Sequence, residues 1–169
     1  ATKENVLTEP RSDVVIVEAV RSPMGRRNGG LATMHPADLL AAVLRGLFSR
    51  AGVDPASVDQ AVGGCVTAVG EQSFNVTRTA WLTAGLPLTT AATTVDTQCG
   101  SSQQATNLAA SLVASGAADV VVACGVENMT RIPLGQNTKA GPGRAIPKSY
   151  FGLYEFTSQF EGAERMADR

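Results

Sequence analysis

Aromatic residues are scarce in this chain of 169 residues, at 5% of the sequence, although 44% of the residues are hydrophobic. A buried core must therefore be built mostly from Val, Leu and Ala, and the amount is ample for one globular α/β domain. No apolar run approaches the roughly 20 residues of a membrane-spanning helix, so we expect no membrane partner. With 14 basic and 15 acidic residues the net charge is −1, which argues against nucleic acid as a partner.

Cysteine and histidine are also few. The three cysteines are an odd number and no secretory apolar segment precedes them, so we expect a reducing compartment, the cytoplasm. Cys65 and Cys124 each end a predicted strand and lack metal-ligand spacing, so we assign them to the core or to the lining of a site and predict no metal. The only histidine, His35, precedes a predicted helix, where we expect a cap or a surface residue.

Strands and helices alternate along the predicted chain. Apolar runs predict strands at 14–20, 61–66 and 119–123, and a fourth strand leads into Cys99. Apolar stripes at helical spacing lie between them, and residues 1–12 are predicted to be an N-terminal tail. The order β-α-β-α-β-α-β indicates a mixed, mostly parallel sheet with helices on both faces.

The chain is organised around residues 93–105, where a strand runs into a sharp turn and then a helix. Cys99 lies at or just before the helix N-terminus, where free N–H groups and the helix dipole favour a thiolate. The alternative is that Cys99 is a small buried hydrophobic residue, as most free cysteines are.

Three segments carry a resemblance to the thiolases. Residues 96–105 (Asp-Thr-Gln-Cys-Gly-Ser-Ser-Gln-Gln-Ala) resemble the family's active-site pattern Asn-x-x-Cys-x-Ser-Gly-x-x-Ala. Residues 124–130 are similar to its Gly-Gly-x-Glu-x-Met-Ser strand end, and residues 20–25 to its Arg-Thr-Pro-x-Gly turn. The sequence departs from the pattern at Asp96, where Asn is usual, and at Ser102, where Gly is usual.

The resemblance implies a thiolase-like N-terminal half over 13–130, followed at 131–169 by the start of the loop domain that covers coenzyme A. Residues 131–148 are rich in Gly, Pro and cations and contain no acid, so a flexible surface loop is the alternative there. The implied function is thiolytic cleavage of a 3-ketoacyl-CoA, or the reverse condensation, through an acyl-Cys99 intermediate. Degradative thiolases, including those that act on steroid side chains, are the most similar.

The resemblance also implies the other members of the site. Cys99 is the implied catalytic residue, and the implied substrate-binding residues are Gln98, Gly100, Met129, Lys139 and Arg144. Coenzyme A is a substrate, and no covalently bound cofactor is implied. The family's catalytic His and second Cys are in motifs that this sequence does not contain, so a C-terminal half, on the same polypeptide or a separate chain, has to supply them. The implied assembly is a homodimer or tetramer.

A function of another class fits the same resemblance. Lipid-transfer proteins and aldolase-partner proteins are related to thiolases, so the chain is alternatively a non-catalytic subunit that binds acyl-CoA or scaffolds a partner enzyme. The presence of Cys99 in a family-like setting favours the enzyme.

Overall fold

The computed structural model describes residues 13–139 and 141–168, so the predicted tail at 1–12 lies outside the described residues. The chain divides into two compact units, with the boundary between Asn137 and Thr138. The strands are β1 (Gln60–Gly64), β2 (Ala91–Val95) and β3 (Val121–Gly125). The α-helices are α1 (Pro36–Ala51), α2 (Val76–Thr83), α3 (Ser101–Ala114) and α4 (Gln159–Ala167). Short 3-10 helices lie at Pro55–Ser57, Gly70–Gln72, Gln136–Thr138 and Lys148–Gly152.

The sheet of the first unit is parallel, with the strand order β2-β1-β3. Gln60 at the start of β1 aligns with Ala91 of β2 and with Val121 of β3, so the three strands end at one edge. Successive β1 residues face opposite sides: a Cβ on Gly63 would contact Thr77 of α2, and one on Gly64 would contact the start of α3. The predicted parallel sheet with helices on both faces is therefore confirmed.

The core lies between α1, α2 and the sheet, and it is built from small and aliphatic side chains as the composition predicts. Trp81 is the largest fully buried residue, and its indole N–H donates to the Pro87 carbonyl at 2.8 Å. The ring of Phe48 packs edge-on against it, with ring centroids 5.8 Å apart. The other buried members of the cluster are Ala37, Leu40, Leu44, Val58, Ala61, Cys65, Val76, Ala80 and Val122.

Three helix boundaries follow the sequence signals. His35 caps α1, because its Nδ1 accepts the Ala37 N–H at 3.1 Å, which confirms the predicted cap. Gly52 ends α1 in the left-handed conformation, at φ 64°. Gly116, at φ 73°, follows the end of α3 in the same conformation.

The strand predicted at 14–20 is wrong. These residues pair with no strand in the described part of the chain, and the side chains of Val15, Ile16 and Val17 are 72–81% exposed. An apolar run becomes a strand only where a partner strand accepts its backbone hydrogen bonds. Val20, the last residue of the run, lines a cavity of about 230 Å³ together with Ala123 of β3, among others.

The ends of the other strands shift for identifiable reasons. β3 begins at Val121 and not at Asp119, because the N–H groups of Asp119 and Val120 donate to the Asp59 carboxylate. β1 ends at Gly64 and not at Val66, because the Val66 N–H donates to the Glu127 carboxylate.

The second unit begins at Thr138 and carries α4. The Ser158 side chain caps α4 by accepting the Glu161 N–H, and Arg165 forms ion pairs with Glu155 and Glu161. The sequence predicts a helix here from the spacing of its members, and α4 confirms it: Phe156, Phe160, Ala163, Glu164 and Ala167. Among the described residues, no helix is both long and apolar enough to cross a bilayer.

Candidate active site

Cys99 lies in the turn that joins β2 to α3 and is exposed. The turn is closed by the Gly100 N–H, which donates to the Thr97 carbonyl at 3.2 Å. Gln98 adopts the left-handed conformation, at φ 53°, which is uncommon for a residue with a Cβ. Gly100 is the N-cap of α3 and makes no side-chain capping bond. Cys99 thus precedes the helix by one cap residue, as predicted.

Two side chains fix this turn from within. Asp96 Oδ1 accepts the Gln98 N–H at 2.7 Å, and Ser101 Oγ donates to the Gln98 carbonyl at 2.5 Å. Ser101 Oγ also accepts the Thr97 N–H at 3.1 Å, and Ser101 itself is only 3% exposed. The predicted strand ends at Val95 because these contacts turn the chain at Asp96.

The first turn of α3 packs directly on the sheet at two glycines on neighbouring strands. A Cβ on Gly64 of β1 would overlap the backbone of Ser101 and Ser102, and a Cβ on Gly125 of β3 would overlap the Ser102 side chain. The sequence predicts a bulge or a close backbone approach at 63–64, and the structure shows the close approach. The start of α3, and with it the turn that carries Cys99, is held at the end of the sheet by this contact.

A network centred on Glu127 fixes the loop that follows β1. The Glu127 carboxylate accepts the N–H groups of Val66 and Thr67, at 2.9 and 3.1 Å, and the side-chain amide of Gln72 at 2.9 Å. Gln72 is 1% exposed, and its Oε1 accepts the Asn128 N–H at 2.8 Å. Sequence analysis missed Gln72, because a polar residue in a loop carries no periodic signal.

The other two thiols differ from Cys99 in their surroundings. Cys65 is 1% exposed, and burial followed by the nearby Glu127 carboxylate raises its pKa to about 12. Burial likewise raises the pKa of Cys124 to about 12. Both thiols are protonated at neutral pH and are poor nucleophiles. These data agree with the assignment of both residues to the core or to the lining of a site.

An open groove of about 400 Å³ lies beside β2. One wall is β2 with the following Asp96, and the other comes from the loop at Cys65, Gln72 and Asn75. The Asn75 side-chain amide donates to the Ala92 carbonyl at 2.9 Å and joins the two walls. Asp96 therefore lines the groove and, through its carboxylate, also holds the turn that carries Cys99.

The residues implied as substrate-binding fall into two sets. Gln98 and Gly100 flank Cys99, and Met129, which is 55% exposed, follows the Glu127 network in the same unit. Lys139 and Arg144 are exposed and belong to the second unit. Arg131, another cation of the Gly- and Pro-rich segment, forms a bidentate ion pair with Glu71 and is therefore engaged within the first unit.

Comparison with known proteins gives a consistent result. Residues 14–157 match the family described as "Thiolase, N-terminal domain". The chain is 43% identical over 166 residues to a steroid 3-ketoacyl-CoA thiolase of Mycobacterium tuberculosis, FadA6, covering 94% of this chain and 41% of that protein. It is 45% identical over 136 residues to a 3-ketoacyl-CoA thiolase of Saccharophagus degradans, covering 79% of this chain and 34% of the relative.

A solved structure supports the same relationship. The crystal structure of the Bacillus anthracis acetyl-CoA acetyltransferase superposes with a TM-score of 0.67 at 40% identity, over 73% of this chain and 31% of that chain. This chain belongs to the thiolase family and corresponds to its N-terminal domain. It spans about two fifths of the length of the mycobacterial relative.

Proposed function

We propose that this chain is the N-terminal part of an acyl-CoA thiolase, an acyltransferase, and that Cys99 is its nucleophile. The observation that carries the proposal is the exposed thiol of Cys99 beside the N-terminus of α3, in a turn fixed by side-chain hydrogen bonds. Because it is exposed, the Cys99 thiol is open to an acyl-CoA, as the nucleophile of an acyl transfer has to be.

The proposed reaction has two halves. In the first, the Cys99 thiolate attacks the keto carbon of a 3-ketoacyl-CoA, the bond between C2 and C3 breaks, and the departing acetyl-CoA carbanion takes a proton. In the second, the thiol of a second coenzyme A loses its proton and attacks the acyl-Cys99 carbonyl. The shortened acyl-CoA leaves and the Cys99 thiolate is restored.

The remaining catalytic groups come from outside this chain in our proposal. General acid–base steps need a side chain placed to transfer protons, and the one histidine of the sequence, His35, is used as the cap of α1. A C-terminal half, on the same polypeptide or as a separate chain, supplies the His and the second Cys. The exposed apolar residues Val15, Ile16 and Val17 support a missing partner surface.

Substrate contacts complete the proposal. In our proposal Gln98, Gly100 and Met129 bind substrate, and the cations Lys139 and Arg144 pair with coenzyme A phosphates as charge-assisted contacts. The names of the relatives support fatty acyl or steroid side-chain substrates, and coenzyme A is a substrate and not a bound cofactor. The three free thiols support a reducing compartment, the cytoplasm.

A homodimer or tetramer belongs to the same proposal. β2 lies at the edge of the described sheet, and its five residues, Ala91–Val95, carry no charge. Exposed edge strands usually carry charges or Pro that prevent pairing, so an uncharged edge beside the Cys99 turn supports an interface between two copies there.

The experiment is a thiolysis assay on the full polypeptide that carries this chain, comparing Cys99→Ala with Cys124→Ala. We expect Cys99→Ala to lower kcat on the order of 10⁴-fold or more, and Cys124→Ala to retain most of the activity. An active Cys99→Ala enzyme would refute the assignment, and an inactive wild type that still binds acyl-CoA would favour the non-catalytic alternative. Residues 1–169 expressed alone should show no thiolysis, and co-expression with the C-terminal half should restore it.

A further inference from the structure

The backbone of Gln98 is the strained point of the turn that carries Cys99. Its φ of 53° is a conformation that glycine adopts readily and that a residue with a Cβ rarely adopts. Such a conformation persists only when the surrounding contacts fix it, and strained residues of this kind cluster at functional sites. Because Gln98 directly precedes Cys99, its backbone angles decide where the Cys99 side chain points.

Both polar groups of the Gln98 backbone are held by side chains. The N–H donates to Asp96 Oδ1 at 2.7 Å, and the carbonyl accepts from Ser101 Oγ at 2.5 Å and from the Ser101 N–H at 3.0 Å. Asp96 therefore binds the N–H and Ser101 the carbonyl of the strained residue Gln98. We call this pair of residues, Asp96 and Ser101, the Gln98 clasp.

Asp96 and Ser101 have different roles, because only the Ser101 hydroxyl has a proton to donate. A serine hydroxyl has one proton to donate, and Ser101 Oγ lies 2.5 Å from the Gln98 carbonyl and 3.5 Å from Asp96 Oδ1. The proton therefore goes to the carbonyl, while Ser101 Oγ accepts the Thr97 N–H at 3.1 Å. Asp96 contributes an acceptor for the Gln98 N–H, which the side-chain oxygen of an asparagine could also supply.

We propose that Asp96 and Ser101 are positioning residues of the thiolase reaction, which hold Gln98 in its left-handed conformation and thereby orient the Cys99 thiol. In this role Asp96 acts through its Oδ1 acceptor and not through its charge. The inference rests on the proposed role of Cys99 as nucleophile. It explains how the sequence accommodates Asp at a position where the family usually has Asn.

The test uses the full polypeptide that carries this chain, with a thiolysis assay and mass-mapped iodoacetamide labelling of Cys99. Asp96→Ala and Ser101→Ala should each lower kcat on the order of 100-fold, the effect of a misplaced reacting group, with KM little changed. Asp96→Asn should retain most of the activity and of the Cys99 labelling rate. Ser115→Ala is the matched control, because Ser115 Oγ makes a similar bond to Leu112 at the opposite end of α3.

A second pair of variants tests the strain itself. Glycine adopts positive φ without steric cost, so Asp96→Ala should reduce the Cys99 labelling rate less in a Gln98→Gly background than in the wild type. Equal reductions in the two backgrounds would overturn the role assigned to the strained backbone. Cys65 is buried in the folded protein, so labelling of Cys65 identifies any variant that unfolds. The Gln98→Gly variant and the Gln98→Gly, Asp96→Ala double variant are compared by their Cys99 labelling rates alone.

The outcomes separate the two proposals. Full activity of Asp96→Ala and Ser101→Ala would overturn the positioning role of the Gln98 clasp. If Asp96→Asn lost as much activity as Asp96→Ala, the role of Asp96 as a neutral acceptor would be overturned. Full activity of Cys99→Ala would instead overturn the proposed function.

Discussion

Gly125 of β3 and Ser102 of α3 approach so closely that a Cβ atom on the glycine would overlap the serine side chain. The same first turn of α3 meets Gly64 of the neighbouring strand β1. The absence of a side chain at these two positions lets the helix N-terminus lie directly on the sheet. Because Cys99 is connected to α3 through a single residue, this packing holds the backbone of the Cys99 turn at the end of the sheet.

Gly125→Ala should therefore destabilise the fold. The added methyl group has to displace the backbone or Ser102, and overpacking of this kind costs about 1–3 kcal/mol. Gly46→Ala is the matched control, because a Cβ at Gly46 in α1 meets nothing within 4 Å. There the exchange should stabilise the helix by about 0.5–1 kcal/mol. Urea unfolding of both variants of the full polypeptide measures the difference, and equal midpoints would contradict the close packing.

Cys99 should be the most readily alkylated of the three thiols at neutral pH. Burial keeps Cys65 and Cys124 protonated, with pKa values of about 12, whereas Cys99 is exposed beside a helix N-terminus. Iodoacetamide labelling followed by peptide mass mapping measures the order. Faster labelling of Cys65 or Cys124 in the folded protein would refute this account of the site.

Asp59 should make the stability of the first unit depend on pH. Its carboxylate accepts the N–H groups of Val120 and Asp119, and these bonds hold its pKa below the ordinary 3.8. A lowered folded-state pKa stabilises the fold above the ordinary value, and this stabilisation is lost as the pH falls through the folded pKa. The difference in urea midpoint between wild type and Asp59→Asn should be present at neutral pH and shrink as the pH falls below the ordinary pKa of 3.8. A difference that stays constant over that range would show that the Asp59 charge is not involved.

The sequence predicts the helices of this fold better than its strand ends. Pro36, His35 and Gly52 are local signals, and they mark α1 correctly because the cap and the terminating glycine act within the helix itself. The ends of β1 and β3 depend on Glu127 and Asp59, which bond to loop amides about 60 residues away. A local pattern contains no information about such distant partners.

The candidate site shows the same division. The position of Cys99 before a helix follows from the residues around it, and the structure places Gln98 and Gly100 beside it. The prediction of a strand at 14–20 was wrong because an apolar run indicates that a segment favours burial but does not identify the strand or surface that buries it. The sequence also does not predict the left-handed backbone conformation of Gln98, since glutamine has no preference for positive φ.

The most direct test of the account is the detection of an acyl group on Cys99. The full polypeptide that carries this chain is incubated with acetyl-CoA in the absence of free coenzyme A, quenched in acid, digested and mapped by mass spectrometry. We expect one acetyl group, on the peptide that contains Cys99, and its removal when coenzyme A is added before the quench. An enzyme that is active in thiolysis but is acetylated at another residue, or at none, would contradict it.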